Sequence, residues 1–484
     1  MYFGERRHLG ATGILPGIAL VCVLGSSIAI AGDWTLTDSQ TLSVTAVDRS
    51  GDDAYSGNVF QFSPQFRLNG RGGRSFADVN YRLTMSYGTG STDPRPFAHN
   101  LLARGEVEAV ENFFFLGATA GARLSGGTGG GSTPVDAINF NADGGSQSFS
   151  LRVTPKFRAH LNRYADLVSN NSVDVVKYTK DSNSGSGDSK SMTLNIGVRN
   201  GRYFGPMNWS VNLTHRRTGY TSRDDTNTDL IASAGYRIDS NWLVRGSLGY
   251  EVNDVETTRS DTDGVTWNVG AVWTPSGRTT LSADYGQRYY GQTISARVQH
   301  RTKRTRTSFD VYRGVENRRT TELVDSYFYL VDSNGQVVVD PDTGDPIIAN
   351  IPELQQTDED YVTTRLRGIV TVTGVRTNVT LTGTVENRDY EVSPISEDSY
   401  DVSLDISRRL GPNFRARLGG DIYHSERNNG YDSDTYDLRF SLTRQFSART
   451  SVSLDLLHRD RNTSSEGGDY TENRVGISLI SSFL

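Results

Sequence analysis

Residues 265–273 read "VTWNVGAVW", and every second side chain in them is apolar. Val265, Trp267, Val269, Ala271 and Trp273 share one face of an extended chain, while Thr266, Asn268, Gly270 and Val272 share the other. A period of two belongs to a β-strand with one apolar face. "TPSGR" follows at 274–278, with the proline and glycine that mark a turn. The pattern recurs elsewhere. In "NFRARLGGDIY" (413–423), Phe414, Ala416, Leu418 and Ile422 oppose Arg415, Arg417, Gly419 and Asp421. "SYDVSLDIS" (399–407) sets Tyr400, Val402, Leu404 and Ile406 against Asp401, Ser403 and Asp405. "TSVSLDLL" (450–457) does the same with Val452, Leu454 and Leu456. No amphipathic helical pattern of comparable quality occurs.

The connections alternate in kind. Short ones include "GRGGR" (70–74), "VEN" (110–112), "DSN" (239–241), "RTKR" (301–304), "TGV" (373–375), "LGPN" (410–413) and "FSAR" (446–449). Between them fall longer polar stretches such as "TKDSNSGSGDSK" from 179, "VNDVETTRSDTDG" from 252 and "RDRNTSSEGGD" from 459. Alternating short turns and long loops predict an up-and-down antiparallel barrel with its short turns in the periplasm. The tight "YYGQT" near 290 stands where a long loop is due. Pro64 and Pro155 fall inside predicted strands, where each removes a ladder hydrogen bond, and are expected to mark bulges or strand ends.

Composition agrees. Hydrophobic residues are only 35% of the chain, yet aromatics reach 10%, with 50 glycines and 13 prolines. In a membrane barrel only alternate residues face lipid, which keeps mean hydropathy low. A disordered polar chain would carry fewer aromatics. A β-solenoid would show a repeat consensus, and none is visible. Packed sandwiches would favour larger aliphatics on the apolar face, which here is often Ala, Gly, Tyr or Trp. Counting segments gives an all-β transmembrane barrel of about 22 strands, within bounds of roughly 18 to 24. The strands occupy a single domain at 32–484, with the longest connection at 317–357. Residues 1–31 have Arg6 and Arg7, an apolar stretch and Ala29-Ile30-Ala31, the order of a cleaved secretory signal. The one cysteine, Cys22, lies within it, so the mature chain is expected to have no disulfide. The expected location is an outer membrane.

"WTPSGRTTLSADYGQRYYGQTISARVQHRTKRTRTSF" (273–309) resembles the most recognisable segment of the outer-membrane proteins associated with the PEP-CTERM (exosortase) system. That family's R-T-S/T, G-x-R-[FY]-[FY]-G and H-R-T-x-R-T elements fall here on Arg278 to Thr280, Gly286 to Gly291 and His300 to Thr305. The strands from Gly57 and Val107, and the ending "YTENRVGISL", are similar in style; Leu484 after Phe483 departs from an aromatic terminus. The resemblance implies a barrel linked to exosortase sorting and exopolysaccharide production, and it narrows context more than mechanism.

No catalytic, metal or cofactor site is expected. His99, His160, His215, His300, His424 and His458 are scattered, without the paired spacing of a metal or triad site. Asp332, Asp340, Asp342 and Asp345 lie in an Asp-rich stretch that reads as turns rather than a calcium loop. A passive conduit, a general or specific porin, and a structural barrel enclosing a partner remain as functions. An inward-folded 317–357 connection, packed through "SYFYLV" (326–331), is the expected constriction. Basic residues crowd 278–319. Arg288 and Arg297 are expected in the lumen, with Arg301, Arg304 and Arg306 near a periplasmic turn. They are either paired with carboxylates such as Asp284 and Asp310 or free to meet an anionic polysaccharide or envelope partner. Nucleic acid is not an expected partner; lipid and the barrel-assembly machinery are. Val475, Ile477, Leu479 and Phe483 form the outer stripe of the last strand. It must pair with the first near "TLSVTAV" (41–47), because an open edge in lipid costs several kcal/mol per unpaired group.

Overall fold

The structure is a computed structural model that describes residues 32–483, except 53, 126–135, 142–144, 180–187, 222, 317–358 and 465–467. The expected signal (1–31), the 317–357 connection with its Asp-rich stretch, and Leu484 lie outside the described residues. The strands begin with β1 (Gly32–Gly51), β2 (Tyr55–Gly72), β3 (Ser75–Gly88), β4 (Phe97–Val110), β5 (Phe114–Ser125) and β6 (Ser146–His160). Next come β7 (Ala165–Asn170), β8 (Ser172–Tyr178), β9 (Ser189–Asn200), β10 (Met207–Gly219), β11 (Asp224–Arg237) and β12 (Trp242–Asp254). They continue with β13 (Gly264–Ser276), β14 (Thr279–Arg288), β15 (Gly291–Arg301), β16 (Thr305–Glu316), β17 (Tyr361–Thr373) and β18 (Thr377–Tyr390). The last are β19 (Ser396–Arg409), β20 (Phe414–Arg427), β21 (Asp432–Ser447), β22 (Thr450–Thr463) and β23 (Tyr470–Ser481).

Consecutive strands pair antiparallel, and β7 and β8 are two halves of one span between β6 and β9. The result is a closed 22-strand barrel. Closure is made where the lipid-facing pattern requires it: Leu42 lies opposite Leu479, Val44 opposite Ile477 and Ala46 opposite Val475. Val475, Ile477 and Leu479 are exposed on the outside, 52%, 59% and 43% accessible. Phe483 continues that stripe; its amide donates to Asp38 Oδ1 at 3.1 Å, and Arg449 donates to its carbonyl at 3.1 Å. Pairing leaves no backbone edge open along the apolar band. Stacked Trp242 and Trp273 (5.4 Å) and Phe114 and Phe157 (4.7 Å) belong to an aromatic girdle at the short-turn end.

Connections at that end are uniformly short, from 73–74 to 448–449. At the other end 317–360 is long, but 52–54, 220–223 and 289–290 are short as well, so the length asymmetry is one-sided.

The two prolines behave otherwise than expected. Neither ends its strand or shifts the register. Pro64 lies opposite Gln40 on β1, while on its β3 side the ladder passes from the Phe62–Met85 pair to the Gln65–Arg82 pair. Pro155 pairs with Leu116 of β5, and its missing N–H opens the ladder on the other side, where Asn171 separates β7 from β8. Asn171 repairs the gap. Its amide donates to the Pro155 carbonyl (3.0 Å), and its side-chain oxygen accepts the Asn195 amide (3.0 Å). The Asn171 side chain thus takes an amide of β9 where β7 and β8 break, and no extra residue enters the ladder.

Candidate functional site

Alternation sends every second side chain inward, and in the outer half of the lumen those side chains form ion pairs. Across β16 to β20 they make one continuous chain of alternating sign. Arg365 bonds Glu316 and Glu386 at 2.8 Å each; Arg388 bonds Glu386 at 2.9 Å and Glu397 at 3.2 Å; Arg427 bonds Glu397 at 2.9 Å. Thr363 and Ser425 hydroxyls donate to Glu386 and Glu397. Arg388, Glu386 and Glu397 are buried to 0%, 1% and 2% accessibility. Charges so deeply buried persist only when each is compensated on several sides. Farther round, Arg459 bonds both oxygens of Asp437 (2.6 and 2.7 Å), and buried Glu472 accepts from Tyr55 and Arg474, each at 2.6 Å.

A loop segment packs against the inner wall of this part of the lumen. Residues 136–141 turn inward, organised by Asp136, whose carboxylate accepts the amides of Ile138 (2.8 Å) and Asn139 (3.1 Å). Its other oxygen meets Arg474. Ile138 joins Val47, Tyr55 and Val59 in an apolar cluster on the inner wall. Phe140 is fully buried, with the Arg95 guanidinium 4.3 Å from its ring centre. Burial alone would raise the Asp136 carboxyl; Arg474 and the two amides reverse the sign and hold it below the usual carboxylate range.

The short hairpin at 289–290 has its place in the same rim. Arg288 donates to buried Glu251 (2.6 and 3.0 Å), and the Tyr289 amide donates to the same carboxylate at 2.8 Å. Gly291 takes φ 111°, which suits glycine. Near this low point of the rim, flanking loops join. Arg259 grips Glu391 through contacts of 2.8 to 3.1 Å, and Arg223 reaches Asp360 at 3.4 Å. Burial, with Asp360 and Glu391 nearby, pushes the Tyr289 phenol well above its ordinary value.

The inner mouth differs. A cavity of about 390 Å³ lies between the turns at 410–413 and 448–449 and the start of the barrel, lined among others by Arg67, Arg409, Arg415 and Arg449. Arg409 and Arg449 donate to backbone carbonyls, of Val375 (3.0 Å) and Phe483 (3.1 Å), rather than to a carboxylate.

The five arginines singled out in the sequence do not form one patch. Arg288 sits at the outer end of β14 on Glu251, and Arg297 in mid-β15 bonds Asp310. Asp284 is taken by Arg245 at 2.7 Å. Arg301 and Arg306 face each other at the inner ends of β15 and β16, with Arg304 in the exposed turn between them. Ten residues of strand, about 33 Å, separate that end from Arg288. Every described histidine except His160 falls on the outward face. His424 there lies 2.9 Å from Asp434 and 3.6 Å from Asp432, a trio from two neighbouring strands that has no spacing signature in sequence. The outer ion-pair chain was equally hard to foresee, because its cross-strand partners are 9 to 49 positions apart and meet only through strand register.

No family model and no curated protein matches the chain. Solved structures do. A variant of the ferric enterobactin receptor of Pseudomonas aeruginosa, in complex with enterobactin, aligns over 92% of this chain and 81% of its own, at 11% identity and a TM-score of 0.50. The FrpB iron transporter of Neisseria meningitidis aligns over 92% and 82%, at 10% identity and 0.48. A loop-deleted form of OmpT, an outer membrane protein of Vibrio cholerae, aligns over 93% and 99%, at 9% identity and 0.34. Such identities establish shared architecture and nothing about cargo. By its closed 22-strand barrel with an apolar outer face, a fold it shares with the enterobactin receptor variant, the chain is an outer-membrane β-barrel protein.

Proposed function

We propose that the protein is a passive conduit, or an assembly component built as one, in an envelope system that exports exopolysaccharide or sorted PEP-CTERM surface proteins. The observation that carries the conduit reading is the polar interior: arginines, carboxylates, hydroxyls and amides line the lumen from rim to rim, while the outside is apolar. The link to the export system comes from the resemblance of residues 273–309. The reading is non-enzymatic, since the described histidines point away from the lumen or, for His160, bond Asp166 at the inner rim. A conduit should conduct in planar bilayers, and removing 136–141, which occupies part of the outer lumen wall, should raise the current. Deleting the gene should reduce surface polysaccharide or sorted cargo. Unchanged polysaccharide and cargo would overturn the export reading; the absence of any current, with or without 136–141, would overturn the conduit. A general porin, the competing reading, would instead show restored small-solute uptake as its main phenotype.

A further inference from the structure

We infer that the inner mouth of the barrel carries a binding site for a carboxylate-bearing oligosaccharide, a conclusion that rests on the conduit reading for its physiological direction. The site is the cavity of about 390 Å³ between β1, β2 and the strands β19 to β23. Its cations come from four separate places: Arg67 in β2, Arg409 at the end of β19, Arg415 at the start of β20 and Arg449 in the last short turn. Arg409 and Arg415 are direct cross-strand partners. The planar guanidinium forks of Arg67, Arg409 and Arg449 match the two oxygens of a carboxylate.

Among the lining residues Asp38 is the one carboxylate, and one of its oxygens accepts the Phe483 amide. Arg409 and Arg449 are held in place by backbone carbonyls, which orients them while leaving other N–H groups for a ligand. The rest of the lining is chiefly hydroxyl and amide, including Gln65, Asn413 and Gln445, with Phe414 and Ile480 as the large apolar members. Amides and hydroxyls both donate and accept, which suits the hydroxyls of a sugar ring. An acidic peptide would ask for apolar pockets or a free strand edge in addition. The lining therefore favours an acidic saccharide over an acidic protein segment. The cavity opens toward the periplasmic side, where cargo bound outward would enter.

The test titrates the full-length barrel in detergent with hexagalacturonate, and with maltohexaose and hexaglutamate for comparison. Hexagalacturonate should bind, and the double change Arg67→Gln with Arg409→Gln should weaken it at least about tenfold. Arg237→Gln removes a charge from the inner end of β11, half the barrel away, and should leave binding within about twofold. Arg409→Lys, which keeps the charge but not the fork, should fall between them, and heat-modifiable gel migration checks that each variant is folded. Equal losses from both arginine sets, equal binding of maltohexaose, or tighter binding of hexaglutamate lost in the same variant would each overturn the proposal. Ion conductance is read on the same preparations. Binding without conductance upholds the site while removing the conduit; conductance without binding removes the site alone.

Discussion

The outer and inner halves of the lumen obey the same alternation and use it in opposite ways. In the outer half, Arg365, Arg388 and Arg427 each face carboxylates on the neighbouring strands, and the centre of the group, Glu386, Arg388 and Glu397, is sealed from solvent. In the inner half, Arg409 opposes Arg415, and the Arg409 and Arg449 side chains lean on backbone carbonyls. Compensated charges in a dry setting rigidify a wall. Cations that face water keep their capacity for an incoming anion. The same residue type thus stiffens one end and equips the other, and what separates the two uses is whether the guanidinium meets a carboxylate, as for Arg388, or a backbone carbonyl, as for Arg409 and Arg449.

The largest expected effect tests the sealed half. Arg388→Met leaves the buried chain one positive charge short, with only Arg365 and Arg427 to serve Glu316, Glu386 and Glu397, and should destabilise the barrel by about 3–5 kcal/mol. Urea unfolding from lipid vesicles measures it. A loss below about 1 kcal/mol would mean that water enters the belt and the two halves are not different in kind.

Next comes the docked segment. Ile138→Ser exposes a hydroxyl to the Val47, Tyr55 and Val59 cluster and should weaken docking by about 2–3 kcal/mol. Protease access within 126–145 and the bilayer current should both rise. The Asp136 carboxyl sets the pH dependence. Because its folded value is depressed, its contribution is fully present above the ordinary carboxylate pKa of about 3.9 and is lost as pH falls through the depressed value. Current should hold steady from neutral pH to about 5 and rise only in stronger acid. A rise centred near neutrality would assign the latch to another group.

How much of this was legible depends on range. Period-two alternation placed Val265 to Trp273 and Val475 to Leu479 on their faces, and the Leu42–Leu479 closure followed from the need to seal an edge. The short turns at 239–241, 277–278 and 410–413 were written in Gly, Pro, Asn and Asp. The prolines misled because the ladder passes a missing N–H at Pro64 and Pro155 without a shift of register, which no local rule anticipates. The inward turn at 136–141 was hidden in a Gly-rich stretch, where the Asp136 turn carries the structure but its partner Arg474 lies 338 positions away. The basic crowding at 278–319 was visible as composition, while its division into an outer pair on Glu251 and an inner rim needed the register of β14 to β16.

Smaller effects test the open half. Arg409→Gln removes a solvated cation and should change unfolding stability by less than about 0.5 kcal/mol, in contrast to Arg388→Met. A loss comparable to that of Arg388 would make Arg409 part of the scaffold rather than a ligand group.

The smallest expected effect lies between the halves. Arg297 is in mid-lumen, paired with Asp310, and its side chain is 59% accessible. A half-open pair of this kind sits close to neutral in the local field, since guanidinium and carboxylate cancel within a few ångströms. Replacing both, Arg297→Gln with Asp310→Asn, should leave cation-to-anion selectivity unchanged in reversal-potential measurements. Arg297→Gln alone should tilt it slightly toward cations, because Asp310 is then left uncompensated. If the double change shifts selectivity as far as the single one, the pair does not act as a unit. The boundary between compensated and open charge would then lie farther out than the register of β15 and β16 implies.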